Sequence, residues 1–357
     1  MSSLSNGSGF FAAKPWPFAP FPSIAPISDF RQKRAEVTMK AIQVHQFGEP
    51  EVLQLQEIPI PQPAAGQVLV RLHAIGVNPV DTYWRTGANP TLSLPFTPGL
   101  DGAGLVEQIG EGVEGLAVGD RVYLGGSVTG TYAEWVVARA PQIHSLPQET
   151  SFAAGAALSV PYGTAHRALF HRAQAKAGET VLIHGASGGV GVAAIQFARA
   201  LGLTIIGTAG SARGRELALA QGAHHVLDHT ASNYLDAVAS ITQGRGADLI
   251  LELLSNVNLG KDLSVLARSG RVVVIGSRGK VEITPRDLMT READIRGMSL
   301  FNVSDNELQG IHAAIRSGLA SGALKPVIAQ EFPLAQAPAA HLAVLQPGAH
   351  GKILLRP

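Results

Sequence analysis

Apolar residues follow two different patterns along the chain. From position 39 to about 147, short segments that mix apolar and polar positions ("AIQVHQF", "VLQLQEI", "QVLVRLHAIGV", "GLVEQIG", "DRVYLG", "YAEWVVA") are separated by Gly and Pro. That texture predicts a compact, irregular β-rich unit. From Gly178 onward the apolar runs become continuous: "VLIHGA", "TIIGTA", "HVLDH", "DLILELL" and "RVVVIGS" alternate with helical stretches "GVAAIQFARALG", "GRELALAQGA", "YLDAVASITQ", "LGKDLSVLARSG" and "RDLMTREADIRG". Strands that are apolar throughout and separated by helices predict a parallel sheet covered on both faces. "SLFNV" supplies a sixth strand, and the helix-like "NELQGIHAAIRSGLASG" and strand-like "GKILLRP" are expected to rejoin the first unit. The organisation expected is an extension over 1–38, a β-rich unit over 39–160, a doubly wound α/β unit over 161–303 and a return to the first unit over 304–357. The extension is rich in Pro, Ser and Phe without helical or strand period, which predicts disorder.

Four glycines crowd into seven positions of "GASGGVG", between the first continuous strand and its helix. The segment fits A-x-G-x-x-G at Ala186, Gly188 and Gly191, with Gly185 and Gly189 in addition. Such glycines allow a tight turn, close approach of backbone to a pyrophosphate, and close packing of helix on strand. The free amides at the helix start then face the phosphate charge. Alone, a glycine-rich turn is weak evidence. Here strand, turn, helix and second strand occur in the required order, which favours a dinucleotide.

The end of the second strand separates the two nicotinamide cofactors. An NAD site usually carries Asp or Glu there for the ribose hydroxyls. This chain has "GTAGSARGRE", offering Gly210, Ser211 and Arg213 with no acid before Glu216. A 2′-phosphate is repelled by carboxylates and held by Ser, Arg or His donors, so the expected cofactor is NADPH. His229, at the end of the third strand, can join that pocket or be an ordinary surface residue.

Composition narrows the chemistry further. The 357 residues carry a formal net charge of +1, which gives no electrostatic reason for nucleic acid or an anionic membrane as main partner. Cysteine is absent, which removes thiolate nucleophiles, disulfides and Cys-ligated zinc; no closely spaced His/Asp/Glu set is apparent, so no metal is expected. Between Glu179 and Arg199 no residue is charged, but the polar and glycine positions there read as buried strand plus helix, so no transmembrane span is assigned.

The segments "GVNPVDTYWRTG", "LPFTPGLDGAGLVEQIG", "VPYGTAHRAL", "VLIHGASGGVGVAAIQFARALG", "NVNLGKDLSVLARSGRVVVIGSRG" and "LKPVI" resemble the ζ-crystallin-like quinone reductases, the zinc-free branch of the medium-chain dehydrogenase/reductase superfamily. The resemblance runs from Met39 to the C-terminus. It implies a GroES-like catalytic domain made from both ends, a Rossmann domain inserted between them, and an active site in the cleft. On the matching motifs it implies Ser187, Gly188, Gly189 and Val190 at the pyrophosphate, and Gly210 and His229 at the ribose phosphate. Asn258 and the run Ile275, Gly276, Ser277, Arg278 would line the cofactor cleft, with Asn78 and Tyr83 as catalytic candidates near the nicotinamide.

The activity implied is zinc-independent reduction of quinones by NADPH, in a cytoplasmic homodimer or homotetramer. A quinone accepts electrons readily, so alignment and exclusion of water suffice without a Lewis acid. Reduction of activated C=C bonds in enals, enones or enoyl thioesters stays open, with Tyr83 as proton donor. So does a binding or structural role, with RNA as a secondary partner.

Overall fold

The computed structural model describes residues 37–348 and 350–357, so the extension expected at 1–38 lies outside the described residues except for its last two positions. Strands β1 (Thr38–Gln43) and β2 (Gln54–Pro59) form an antiparallel ribbon. A larger sheet follows from β3 (Gln67–Val77), β4 (Asp101–Ile109), β5 (Arg121–Gly125), β6 (Trp135–Arg139) and β7 (Ile143–Ser145). Helix α1 (Pro79–Arg85) sits between β3 and β4; its start is set by Asn78 in a capping box with Asp81 and by proline in its first turn. Two further helices, α2 (Phe152–Gly155) and α3 (Ser159–His166), lead out of this sheet.

The chain then enters a second sheet made of β8 (Thr180–Ile183), β9 (Thr204–Thr208), β10 (His225–Leu227), β11 (Ala247–Glu252), β12 (Leu266–Val274) and β13 (Asp294–Gly297). Between these strands run α4 (Gly189–Leu201), α5 (Ala212–Ala220), α6 (Tyr234–Ile241), α7 (Ser255–Val265) and α8 (Pro285–Arg291). All five pairings are parallel, in the order β10-β9-β8-β11-β12-β13, which is the doubly wound order with its switch point between β8 and β11. Helix α4 ends because Gly202 takes φ 82, a left-handed cap that glycine adopts without a Cβ penalty.

After α9 (Asp305–Ala320) the chain returns to the first sheet. Strand β14 (Ile328–Pro333) and, beyond α10 (Ala337–Leu345), strand β15 (Lys352–Arg356) extend it to seven strands, β15 pairing antiparallel with β3. One continuous apolar core joins the two sheets: Val181, Ile183 and Ala194 pack in the same cluster as Tyr123, Tyr162, Ile311 and Leu354. No helix among the described residues is long and apolar enough to cross a membrane, and the uncharged run after Glu179 divides into β8, the glycine turn and α4.

Three sequence expectations are corrected. The sixth parallel strand is Asp294–Gly297, not "SLFNV", whose residues Leu300–Asn302 form a 3-10 turn. β13 is an edge strand, and edges favour charges such as Asp294 and Arg296 over an apolar run. The stretch "RDLMTREADIRG" is consequently helical only to Arg291, where Glu292 in left-handed conformation (φ 50) ends the helix. In the same way "LGKDLSVLARSG" is helical only to Val265, and its Leu266 already begins β12.

Candidate active site

The glycine turn leaves β8 at its carboxyl end. Gly185 adopts φ 59, its amide reaches the Thr208 hydroxyl oxygen at 3.3 Å, and the Ala186 amide donates to the Thr208 carbonyl at 2.9 Å. A Cβ on Gly191 would lie 2.3 Å from the Gly185 carbonyl oxygen, so helix and strand meet backbone to backbone. The alanine at the first motif position is accommodated from the neighbouring strand: a Cβ on Gly207 would come 2.8 Å from the Ala186 methyl. Helix α4 starts at Gly189 with the amides of its first turn free of helical partners, beside Ser187, Gly188 and Val190. These groups fit a pyrophosphate.

Gly210 lies directly beyond β9. A Cβ there would sit 2.8 Å from His229 Nε2, so the glycine lets the imidazole come close. Ser211 accepts from the Gly214 amide at 3.1 Å and meets His350 Nε2 at 3.0 Å. Arg213 is exposed, whereas Arg215 is held by Asp228 at 2.8 Å. Burial, the charge of His184 and Arg215 hold the His229 pKa below its ordinary value against the opposing pull of Asp228. The pocket is rich in donors, and its nearest carboxylate, Asp228, is already paired.

On the far side of the switch point, Asn258 in the first turn of α7 stands next to the loop that carries Ile275–Arg278. The Ser255 amide donates to the Gly276 carbonyl at 2.9 Å, the Arg278 amide to Asn256 Oδ1 at 2.9 Å, and a Cβ on Gly276 would lie 2.4 Å from the Leu253 carbonyl oxygen. Ser277 and Arg278 are exposed, Ile275, Gly276 and Asn258 half-buried.

Asn78, which caps α1, and Tyr83 within it lie in different surroundings. Asn78 is buried: its amide nitrogen donates to Asp101 Oδ2 at 2.9 Å and its oxygen accepts from Lys352 Nζ. Lys352 also binds Asp101 at 2.8 Å, and Asp101 Oδ1 accepts from the Val160 amide at the start of α3 at 2.9 Å. The Lys352 stem passes 3.8 Å from where a Gly189 Cβ would stand, and Gly351 pairs with Gly188, so β15 touches the glycine turn and Asn78 together. Burial, against the pull of the Asn78 amide and Lys352, raises the Asp81 carboxyl behind Asn78 to about 7. Tyr83 is half-buried and stands apart from the neighbouring cavity, which Trp84 lines instead.

That cavity, of about 620 Å³, lies between the loops at 95–100 and 125–130 and residues Ser159, Val160 and Leu300–Val303. Its wall is mainly apolar and contains no carboxylate; at its rim Trp84 and Phe301 stack obliquely with centroids 5.3 Å apart. A volume of this size suits a drug-sized ligand.

Sequence reasoning missed Lys352, Asp101, His350 and Trp84. Only Lys352 left a trace, as a charge at the inward start of the otherwise apolar "ILL". A further correction concerns the expected absence of a His/Asp/Glu set. His184, Glu252 and Asp262 converge beneath the nucleotide loops, brought there by β8, β11 and α7.

Two family models match: the alcohol dehydrogenase GroES-like domain over residues 64–148 and the zinc-binding dehydrogenase over 189–316. The human quinone oxidoreductase is 47% identical over 320 residues, covering 89% of this chain and 97% of the relative. This chain belongs to the quinone oxidoreductase family. The fold is therefore that of the medium-chain dehydrogenases/reductases, a GroES-like unit with a Rossmann unit. A crystal structure of the Escherichia coli quinone oxidoreductase complexed with NADPH superposes with TM-score 0.80 at 32% identity, covering 89% of this chain and all of that one. An NAD-dependent alcohol dehydrogenase superposes with TM-score 0.83 at 30% identity, with coverage of 89% and 100%. Fold alone thus leaves the choice of cofactor to the pocket residues.

Proposed function

We propose that the protein is an NADPH:quinone oxidoreductase that works without zinc. The observation carrying the cofactor choice is the end of β9, where Gly210, Ser211 and Arg213, with His229 packed against them from beyond β10, stand in place of a ribose-binding carboxylate. Kinship with quinone oxidoreductases and the apolar cavity support the acceptor class. Cysteine is absent from the whole chain, so the thiolate zinc ligands of the wider superfamily have no counterpart.

NADPH supplies a hydride. The α4 amides with Ser187 and Val190 bind its pyrophosphate, Ser211, Arg213 and His229 its ribose phosphate, and Asn258 with Ile275–Arg278 closes the cleft. Lys352 and Asp101 fix Asn78, whose remaining N–H can orient the nicotinamide or a quinone oxygen. Tyr83, one residue before the cavity-lining Trp84, orients the nicotinamide ring from outside the cavity, and the apolar walls keep water away. No protein acid is required for a quinone, so Tyr83→Phe should retain part of the turnover; complete loss with NADPH still bound would make Tyr83 a proton donor and favour C=C reduction. The same reading takes the protein as a cytoplasmic homodimer or homotetramer.

The direct test compares NADPH and NADH binding by calorimetry, then NADPH consumption on 1,2-naphthoquinone against a 2-alkenal. Preference for NADPH and for the quinone is expected. Equal binding of NADH, or faster turnover of the alkenal, would overturn the corresponding half of the assignment.

A further inference from the structure

Beneath the glycine turn and its neighbouring loops, His184, Glu252 and Asp262 form a wholly buried group in which one polar atom of each lies within 4.8 Å of the others. His184 Nε2 lies 2.8 Å from Asp262 Oδ1 and 3.5 Å from Glu252 Oε2, and its Nδ1 lies 3.4 Å from the Thr208 hydroxyl. Glu252 Oε1 accepts from the Leu254 amide and from Asn258 Nδ2, the latter at 3.3 Å. The Glu252 carbonyl accepts from the Ile275 and Gly276 amides at 2.8 and 3.3 Å. Thr208 holds the Gly185 amide. Glu252 and its two neighbours thus anchor the loops after β8, β11 and β12 and the last residue of β9, all at the carboxyl end of the sheet, where the cofactor is proposed to bind.

The group has one conspicuous gap. Glu252 Oε2 and Asp262 Oδ2 are both buried with no hydrogen-bond partner. Two ionised carboxylates against one imidazolium would leave a net negative charge in a wholly buried site, which is costly. One proton between the two oxygens removes both the charge and the two missing bonds. The other groups facing the cluster are Tyr234 from α6, whose ring meets that of His184 edge-on at 6.4 Å, and His229 beyond β10, itself flanked by Asp228 and Arg215. None of them supplies a cation at neutral pH that would replace the proton: His229 is held below its ordinary pKa and Arg215 is paired with Asp228.

We propose that a proton shared by Glu252 and Asp262 holds these loops in their cofactor-binding arrangement, making Glu252 a positioning residue for NADPH. This rests on the NADPH reading above. Burial and the Asp262 charge, against the pull of His184, raise the Glu252 carboxyl to about 7, while Asp262 and Glu252 outweigh burial and raise His184. Below that value the group is imidazolium with one proton between two carboxyls, neutral in sum. Above it Glu252 ionises; its Oε1 still accepts from Leu254 and Asn258, but the like charge of Asp262 now pushes α7, which carries Asp262 and Asn258, away from the end of β11.

The test is NADPH affinity by calorimetry at pH 6 and pH 8 for the wild type and Glu252→Gln, whose amide imitates the protonated acid. Roughly a tenth of wild-type molecules keep the proton one unit above its pKa, so wild-type affinity should fall about tenfold relative to the variant. Effects of the cofactor's own phosphate or of His229 are common to both proteins and cancel in the ratio. A ratio that stays constant between the two pH values overturns the proposal. If the wild type binds no NADPH at either pH, the cofactor reading fails instead, and thermal unfolding of the cofactor-free proteins decides. Wild type losing stability relative to Glu252→Gln as pH rises from 5 to 8 supports the shared proton, and parallel profiles overturn it. Should Glu252→Gln not fold, Asp262→Asn provides the same comparison, its amide donating to Glu252 Oε2.

Discussion

Single atoms decide the cofactor turn. Gly191 tolerates no side chain, because a methyl at 2.3 Å from the Gly185 carbonyl oxygen forces α4 away from β8. Gly191→Ala should cost about 1–3 kcal/mol of stability by overpacking and weaken NADPH binding, both measurable by thermal unfolding with and without cofactor. Lys352 is the opposite case, a side chain that cannot be lost. Lys352→Met leaves Asp101 buried at 1% exposure without its cation, and breaking such a pair costs about 3–5 kcal/mol. The expected result is a large drop in melting temperature; an unchanged one would mean that Asp101 finds another partner. The steric logic of the turn was legible in "GASGGVG", because each glycine answers a local backbone demand. The Asn78–Asp101–Lys352 triad was not, since its members come from three segments that only the sheet brings together.

At the level of elements, the alternation of apolar runs and helical periods specified the parallel sheet, but it could not mark the edge. β13 carries Asp294 and Arg296 and so has no apolar signature, while the apolar pair Leu300–Phe301 that imitated a strand lies on the cavity wall. The burial pattern of β15 likewise explains why "GKILLRP" could be read as a strand without revealing what its lysine touches. α1 and the turn at Leu300–Asn302 meet through Trp84 and Phe301 across the cavity rim. Aromatic pairs of this kind stack on flat rings and contribute about 0.5–1.5 kcal/mol beyond area. Trp84→Ala should therefore raise KM for a bicyclic quinone several-fold more than for a monocyclic one, leaving NADPH affinity unchanged. Equal effects on both quinones would remove the rim from acceptor selection.

Across the whole molecule, buried ionisable groups set a stability optimum. Burial lowers His144 and His341 to about 3 and His166 and His312 to about 4, so these rings stay neutral in the fold while the unfolded chain takes up protons below its ordinary value of 6.5. Each contributes stability that is present above 6.5 and lost as pH falls towards the folded value. Asp81 and Glu252 act in reverse: raised to about 7, they contribute stability that is lost as pH rises from the ordinary carboxyl range to 7. Four imidazoles outnumber two carboxyls, so stability should climb from pH 4 to about 6.5 and decline modestly beyond, as a melting series in that range would show. A monotonic rise to pH 8 would contradict the carboxyl assignments. The pairing of Gly351 with Gly188 also carries a consequence for biosynthesis. On the ribosome the parallel sheet and its glycine turn emerge long before β15, so a nascent chain can assemble the nucleotide fold yet lacks the strand that seats the turn and locks Asn78. Cofactor capture in its mature form must wait until that late strand threads back beside β3.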